Sequence, residues 1–361
     1  MKLTKLSTAL LGCAAISAGA ANAAAPTLKE VLGASEISVT GYADAAFTYM
    51  DTDSGTFSPN YFDNNSSNTF RFKQAGLTIA SQPASGFGAL VNLTGGDDAN
   101  SIHSLNGGST SNIDVTQAFV QYAGSGFTVI GGKFNTLAGA EVISPTGNTN
   151  ISRSIAFLNA LPFTHTGVRV SYAPVSTLTL YAGVNNGWDQ ADDQNKTKTT
   201  ELGVSYAPVD MISGAVYAYL GGEGTSSPTQ KLTLVDVIVT IKPIAPLAII
   251  LNYDMDKLKD GVAVGQDAKW TALNAYLNYQ ITDKLRTSLR LEQFDDKDGF
   301  KFGAPDNKIK GATLTVGYAP VPAFELRGEV RRDKADVAVF TKDGAAEDKQ
   351  TYAAVEGLYK F

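Results

Sequence analysis

From Ile37 onward the chain alternates. In ISVTGYADAAFTYM, Ile37, Val39, Ala43, Ala45, Phe47 and Tyr49 fall on one face, and Ser38, Thr40, Tyr42, Asp44 and Thr48 on the other. A period of two with one apolar and one polar side is a strand, not a helix. The same pattern recurs near 70–81, 87–96, 113–123, 127–134, 165–173, 177–185, 199–207, 211–221, 231–242, 247–255, 269–280, 285–294, 310–319, 323–331 and 350–361, which with the first run makes 16 strands. Each is near the ~9–11 residues that a tilted strand needs to cross a bilayer. The facing of 211–221 is ambiguous.

The connections alternate too. Odd-to-even links are long and polar: DTDSGTFSPNYFDNNSSN, GDDANSIHSLNGGSTSN, the 134–164 stretch, NGWDQADDQNKTK and DDKDGFKFGAPDN. Even-to-odd links are tight: QPASG, AGSG, APVS, APVD, KPIAP, ITDK and APVP. Long loops at one end and short turns at the other are the layout of an all-β, transmembrane antiparallel barrel with external loops and periplasmic turns. Three even strands close on the same phrase, at Tyr172, Tyr206 and Tyr318, each followed by Ala-Pro-Val. Proline donates no ladder hydrogen bond, so it is expected to end the strand. Each tyrosine lies on the apolar face, and Tyr122 and Tyr279 hold the same place on two more even strands. Tyrosines at one level, all facing out, suit an aromatic girdle at a membrane interface. A tyrosine-rich sandwich edge would not explain why facing and level agree.

One stretch breaks the alternation. KFNTLAGAEVISPTGNTNISRSIAFLNALPFTHTGVR, Lys133 to Arg169, carries Glu141, Arg153 and His165. Loops of this length are uncommon in a compact domain and usually functional. The expectation is that 134–164 folds into the mouth of the barrel and narrows it.

The N-terminus changes the compartment. MKLTKLSTALLGCAAISAGAANA has a charged start (Lys2, Lys5), a short apolar run and an Ala21-Asn22-Ala23 site, so residues 1–23 read as a signal peptide. Leu10-Leu11-Gly12-Cys13 also echoes a lipoprotein box, but the apolar run continues past Cys13. Residues 24–36 form a short segment ahead of a barrel at 37–361. Cleavage would remove the only cysteine, leaving no disulfide, and move the net charge from −6 to −8. An acidic chain without a basic block argues against nucleic acid as a partner. No second apolar run is as long as a membrane-spanning helix.

Charge on the strands must face the lumen, because Arg or Lys facing lipid at the midplane costs about 2–4 kcal/mol. In LRTSLRLEQF, Arg286, Ser288, Arg290 and Glu292 face in; in FELRGEVRR, Glu325, Arg327, Glu329 and Arg331 do. Arg169, Glu201, Asp236, Asn252, Asp254, Asn274 and Asn278 are inward by the same test, and Lys133 is placed inward if Gly131-Gly132 makes a bulge. A charged, wet interior suits a barrel of this size. The arginines on neighbouring hairpins would bias the field in the lumen. The bland alternative is that most of these charges pair into a ladder that only stiffens the wall. The candidate pore-lining and constriction residues are therefore Lys133, Glu141, Arg153, Arg169, Glu201, Asp254, Arg286, Arg290, Glu292, Arg327, Glu329 and Arg331.

Other chemistry is thin. His103 and His165 have no visible serine partner, which argues against a hydrolase. Asp51-Thr-Asp53-Ser-Gly55 and Asp296-Lys-Asp298-Gly299 echo the start of a calcium loop without its closing glutamate. No cofactor or metal is implied.

The segments VTGYADAAFTY, DVTQAFVQYA, GGKFNT with GAE, THTGVRVSYAP, NNGWDQADDQNK and FDDKDG, in that order, resemble the beta-barrel porin-2 family (OmpL-like porins) of Gram-negative outer membranes. The resemblance implies a passive solute channel and names no solute. General porins, similar in layout, fold their third external loop inward and are often trimers. This chain has few basic residues in its early strands, unlike those porins. The terminal TYAAVEGLYKF, ending on Phe361, resembles the sorting signal read by the barrel-assembly machinery. The expected function is an outer-membrane porin for small hydrophilic solutes or ions, set in outer-membrane lipid and possible as a homotrimer. The rivals are a non-conducting structural or adhesin barrel and an exported soluble β-sandwich.

Overall fold

The computed structural model describes residues 36–53, 68–102, 112–223 and 230–361. The signal peptide, almost all of 24–36, His103 and parts of the first two long loops lie outside the described residues. The unit from Ser38 to Phe361 is a closed antiparallel barrel of 16 strands.

Its strands are β1 Ser38–Met50, β2 Thr69–Ser81, β3 Gly86–Gly95, β4 Ile113–Gly124, β5 Phe127–Asn135, β6 Thr164–Val175, β7 Leu178–Asn185, β8 Thr199–Val209 and β9 Ile212–Gly222. There follow β10 Lys231–Ile244, β11 Leu247–Ala263, β12 Gln266–Gln280, β13 Leu285–Asp298, β14 Pro305–Val321 and β15 Phe324–Ala335. A small hairpin, β16 Phe340–Lys342 with β17 Ala345–Glu347, precedes the closing strand β18 Lys349–Lys360. Each barrel strand pairs with its neighbour in sequence, and β18 pairs with both β15 and β1. Closure leaves no open edge.

Burial reads out the two faces. Along β1, Tyr42, Asp44, Ala46, Thr48 and Met50 are buried, while Ala43, Ala45 and Tyr49 are exposed. The exposed positions carry large apolar groups, Phe70 at 85% and Phe87 at 84% among them, as a lipid-facing wall requires. Tyr122, Tyr206, Tyr279 and Tyr318 are exposed on that wall near the short turns. Phe87 lies 5.0 Å from Tyr122 and Phe127 stacks on Tyr172 at 4.1 Å, so the even-strand tyrosines share their belt with odd-strand phenylalanines. The facing of β9 is also clear: Tyr217 and Tyr219 are buried inside, and Val216 and Leu220 are exposed.

Four details differ from the sequence reading. The Ala-Pro-Val segments do not end their strands; pairing resumes beyond a register shift, with Val175 opposite Leu178 and Val209 opposite Ile212. Bulges tolerate proline, because the missing N–H falls where the ladder is already broken. Secondly, β4 and β5 pair without a shift through Gly131 and Gly132, and the irregularity lies instead on β4, where Asn92 faces Gln117 but Leu93 faces Val115. Gly132 has φ +135, and a Cβ there would lie 2.3 Å from the Ala118 carbonyl oxygen, so the glycine serves a close approach. Thirdly, β11 and β14 run to 17 residues, past the polar segments expected to be loop. Finally, the interior is not uniformly charged. Leu232, Leu234, Leu258, Trp270, Phe294 and Ile309 form a buried apolar cluster on the inner wall, which Phe340 of the β16–β17 hairpin joins.

Candidate functional site

The segment between β5 and β6 packs against inward-facing side chains of distant strands. It holds few alternating positions, so it cannot add to the sheet, and local bonds shape it instead. Asn148 accepts from Val142 N at 2.9 Å and donates to the carbonyls of Val142 and Ser144 at 2.7 and 2.8 Å. Pro145–Gly147 makes one 3-10 turn, and Ser154 caps a short helix, α1, Ile155–Asn159, by accepting from Phe157 N. Ile155, Ala156, Ala160 and Leu161 then join the apolar cluster of the wall.

Its exposed backbone is satisfied by the opposite wall, as buried backbone must be. Leu137 N donates to the Tyr219 hydroxyl at 3.0 Å, Gly139 N to Asp236 at 3.1 Å, and Ala140 N to Asn252 at 2.9 Å. Ile151 N and Ser152 N both donate to Glu329, at 2.6 and 2.9 Å, and Ile155 N donates to Glu292 at 2.7 Å. In return the arginines donate to loop carbonyls. Arg286 reaches Thr149 O at 2.8 Å, Arg327 reaches Pro145 O at 3.1 Å, Arg290 reaches Ser152 O at 2.7 Å and Arg331 reaches Arg153 O at 2.6 Å.

The wall's charges are also paired among themselves. Arg290 meets Glu141 of the loop at 2.8 Å and Glu292 at 3.3 Å, while Arg331 meets Glu292 at 3.2 Å and Asp333 at 2.8 Å. Arg327 bridges Glu325 and Glu356 at 2.8 and 3.2 Å, and Arg286 holds Glu325 at 2.6 Å. Arg290 and Arg331 have no exposed surface, so their field is spent on the loop.

The remaining candidates separate from this group. Arg153 turns its guanidinium back to its own loop, to Ile143 O at 2.7 Å and Ile151 O at 3.2 Å. Arg169 grips Glu201 with two nitrogens, at 2.5 and 2.9 Å, beneath Phe134. Lys133 sits between Asp114, at 3.4 Å, and the Val115 carbonyl. Asp254 is fully buried beside Asn252. Sequence reasoning placed Asp236 and Asn252 inward without giving them this anchoring role. It missed Tyr219, whose strand had no clear facing, and Asp333, which continues the β15 alternation by one step.

Two cavities flank the tip of the loop. One, of about 460 Å³, is lined by Thr40, Tyr42, Thr78, Asn92, Thr94, Thr116, Gln117, Asn135, Ser144 and Thr146, with Lys360 and Phe361 at its mouth. The other, of about 330 Å³, is lined by Thr146 and Thr149 and by Asp283, Lys284, Arg286, Glu325, Arg327 and Lys360. The first climbs the wall, because Thr40, Thr78, Asn92 and Gln117 stand side by side across β1 to β4. That row runs from the third residue of β1 toward the far end of β5 at Asn135. The second stays among residues next to the short turns.

The loop's exit is pinned by the segments that follow β7 and β9. Asp189 accepts from both Phe163 N and Thr164 N at 2.8 Å. Burial pushes its carboxyl up to about 7, the two amides pull it down, and the Glu223 charge raises it again. Glu223 accepts from Trp188 N at 2.9 Å, and burial pushes it too to about 7. His165 stacks on Tyr219 at 4.9 Å with its Nδ1 3.1 Å from Gly187 O. The two short acidic motifs cap backbone: Asp53 accepts from Asp343 N and Gly344 N at 3.1 and 3.0 Å, and Asp296 from Lys301 N and Phe302 N at 2.9 and 2.7 Å.

A family model described as Putative beta-barrel porin-2, OmpL-like matches residues 36–361. Among solved structures, the outer membrane channel DcaP of Acinetobacter baumannii superposes with a TM-score of 0.63 at 15% identity, covering 90% of this chain and 97% of that one. An anion-selective porin from Comamonas acidovorans gives a TM-score of 0.64 at 15% identity, covering 90% and 99%. Outer-membrane expressed OmpT of Vibrio cholerae gives 0.62 at 12% identity, covering 90% and 97%. No curated protein matches. At these identities the solved structures speak for the shared fold alone.

Proposed function

The chain belongs to the beta-barrel porin-2, OmpL-like family, as an outer-membrane β-barrel porin, and from that premise we propose that it is a passive channel for small hydrophilic solutes or ions. The observation that carries this reading is the polar trough of about 460 Å³ left between the loop and the β1–β5 wall. A barrel of ~16 strands has room for an aqueous path, and this one keeps part of that room lined by hydroxyl and amide groups. In this reading Glu141, Glu292, Glu329, Arg286, Arg290, Arg327 and Arg331 act by holding the constriction in place. Arg153 stiffens the loop, and Arg169, Glu201, Lys133 and Asp254 brace the wall around it.

The reading extends to context. Residues 1–23 are removed as a signal peptide, and the barrel sits in the outer membrane of a Gram-negative bacterium. Its C-terminal Phe361 is read by the assembly machinery. A homotrimer fits the layout, and one of the similar structures is the trimer form of Vibrio cholerae OmpT. The close packing of residues 150–165 also favours a second reading, a barrel that does not conduct. Planar-bilayer recording separates the two. Purified, folded protein giving discrete conductance steps supports the channel; a silent bilayer at every voltage supports the structural barrel.

A further inference from the structure

The charged alcove and the trough border the loop from different strands. Arg286, Arg290, Arg327 and Arg331 are bonded to loop carbonyls and to carboxylates, and beside the alcove the loop is tied to the wall by Arg286–Thr149 and Asn150–Thr315. The trough has the opposite character. Thr40, Thr78, Asn92, Thr94, Thr116 and Gln117 line it, and among its lining side chains only that of Lys360, at the mouth, carries a charge. These groups are already ordered. Asn92 donates to the Thr78 hydroxyl at 2.8 Å, Thr116 donates to the Thr94 hydroxyl at 2.6 Å, and Gln117 accepts from Asn135 N at 3.2 Å.

Neutral hydroxyls and amides offer donors and acceptors side by side. A sugar, whose hydroxyls also donate and accept, can exchange water for such a surface at little cost. An ion loses hydration there without meeting an opposite charge, which is unfavourable. Selectivity for ions comes from charged rings or walls; here Arg290 and Arg331 are covered, and Arg286 and Glu325 face the smaller alcove. A space of about 460 Å³ falls within the ~300–1,000 Å³ of small-molecule sites. We infer that the trough on the β1–β5 side is the solute path, and that it favours uncharged polyhydroxylated solutes of sugar size over ions. This rests on the channel reading and names its substrate class.

The test uses full-length protein in liposomes and planar bilayers. Wild-type protein should pass glucose several-fold faster than gluconate or glucosamine, and its reversal potential in a KCl gradient should stay near zero. Asn92→Asp and Gln117→Glu, which place a carboxylate in the trough, should move the reversal potential toward cation preference and speed glucosamine. Asn92→Gln, bulkier and uncharged, should slow glucose without moving the potential. If Arg286→Gln shifts the potential while Asn92→Asp and Gln117→Glu do not, the path runs through the charged alcove and the inference is overturned. Gluconate or glucosamine outpacing glucose in the wild type would overturn it as well. Wild-type protein that is folded yet passes neither current nor solute contradicts the channel reading itself, a result distinct from either.

Discussion

Arg290 and Glu141 form an ion pair at 2.8 Å although 149 positions separate them, and both are buried. The pair joins the loop to β13 at the centre of the barrel. Removing one member of a buried pair costs about 3–5 kcal/mol, because the other charge is left without its partner. Glu141→Ala should therefore lower stability to urea in detergent micelles by about 3 kcal/mol. The double variant Glu141→Leu with Arg290→Met should not recover that loss, because Arg290 also holds Glu292 and the Ser152 carbonyl. An unchanged unfolding midpoint in Glu141→Ala would mean that the loop is held by its other bonds alone.

Deleting residues 140–158 and closing the gap with a short Gly-Ser linker should raise single-channel conductance several-fold. The removed chain fills the lumen between Asp236 and Asn252 on one side and Glu292 and Glu329 on the other. Conductance and selectivity identical to wild type would put the narrowest point elsewhere.

Gly76 makes room for a ring. A Cβ there would lie 2.2 Å from Cε1 of Tyr42, which lines the trough and donates its hydroxyl to Gln74. Gly76→Val should push the ring into the trough and reduce conductance. Adding Tyr42→Ala should restore it, and failure of that rescue would point to general damage to the wall.

The Asp189–Glu223 pin should titrate near neutrality. Its carboxyls lie near 7, above the ordinary 3.8 and 4.5, because burial disfavours their charged forms. Between about 4 and 7 the folded loop keeps protons that an unfolded chain has lost, so the pin weakens as pH rises through that window and is weakest above it. The pH-dependent part of tryptophan emission, with Trp188→Phe as the blank, should show a step centred near 7. Asp189→Asn with Glu223→Gln should abolish the step, and a midpoint near 4 would contradict the burial argument.

Alternation made the wall legible, because lipid outside and water inside sort side chains at every second position. The reading stopped where lipid stops. Beyond Met255, the run Asp256-Lys257-Leu258-Lys259-Asp260 continues β11 with Lys257 and Lys259 facing outward, as a strand above the bilayer can. The same applies to Asp306 and Lys308 at the start of β14. The loop's length and odd composition marked it out, and Glu141 lay in it. Its partners did not, because a bond such as Ile151 N to Glu329 joins residues 178 apart and no local pattern encodes it. For the same reason the covering of Arg290 and Arg331 was invisible: their alternation says only that they face in.

The seam between β1 and β18 fixes when the barrel can exist. Gly41 and Phe361 exchange both backbone hydrogen bonds, each 2.9 Å, and continue the pairing that runs from Tyr42 opposite Lys360 to Met50 opposite Tyr352. A chain stopped before Lys349 would leave β1 and β15 as two bare edges, open to any passing strand. The most distant pairing is also the slowest kind to form. Narrowing of the lumen draws on the same late material, since Glu292, Thr315 and Glu329, which hold the loop, follow it by well over a hundred residues. The polypeptide thus has to wait, shielded from its own edges, until its final strand arrives.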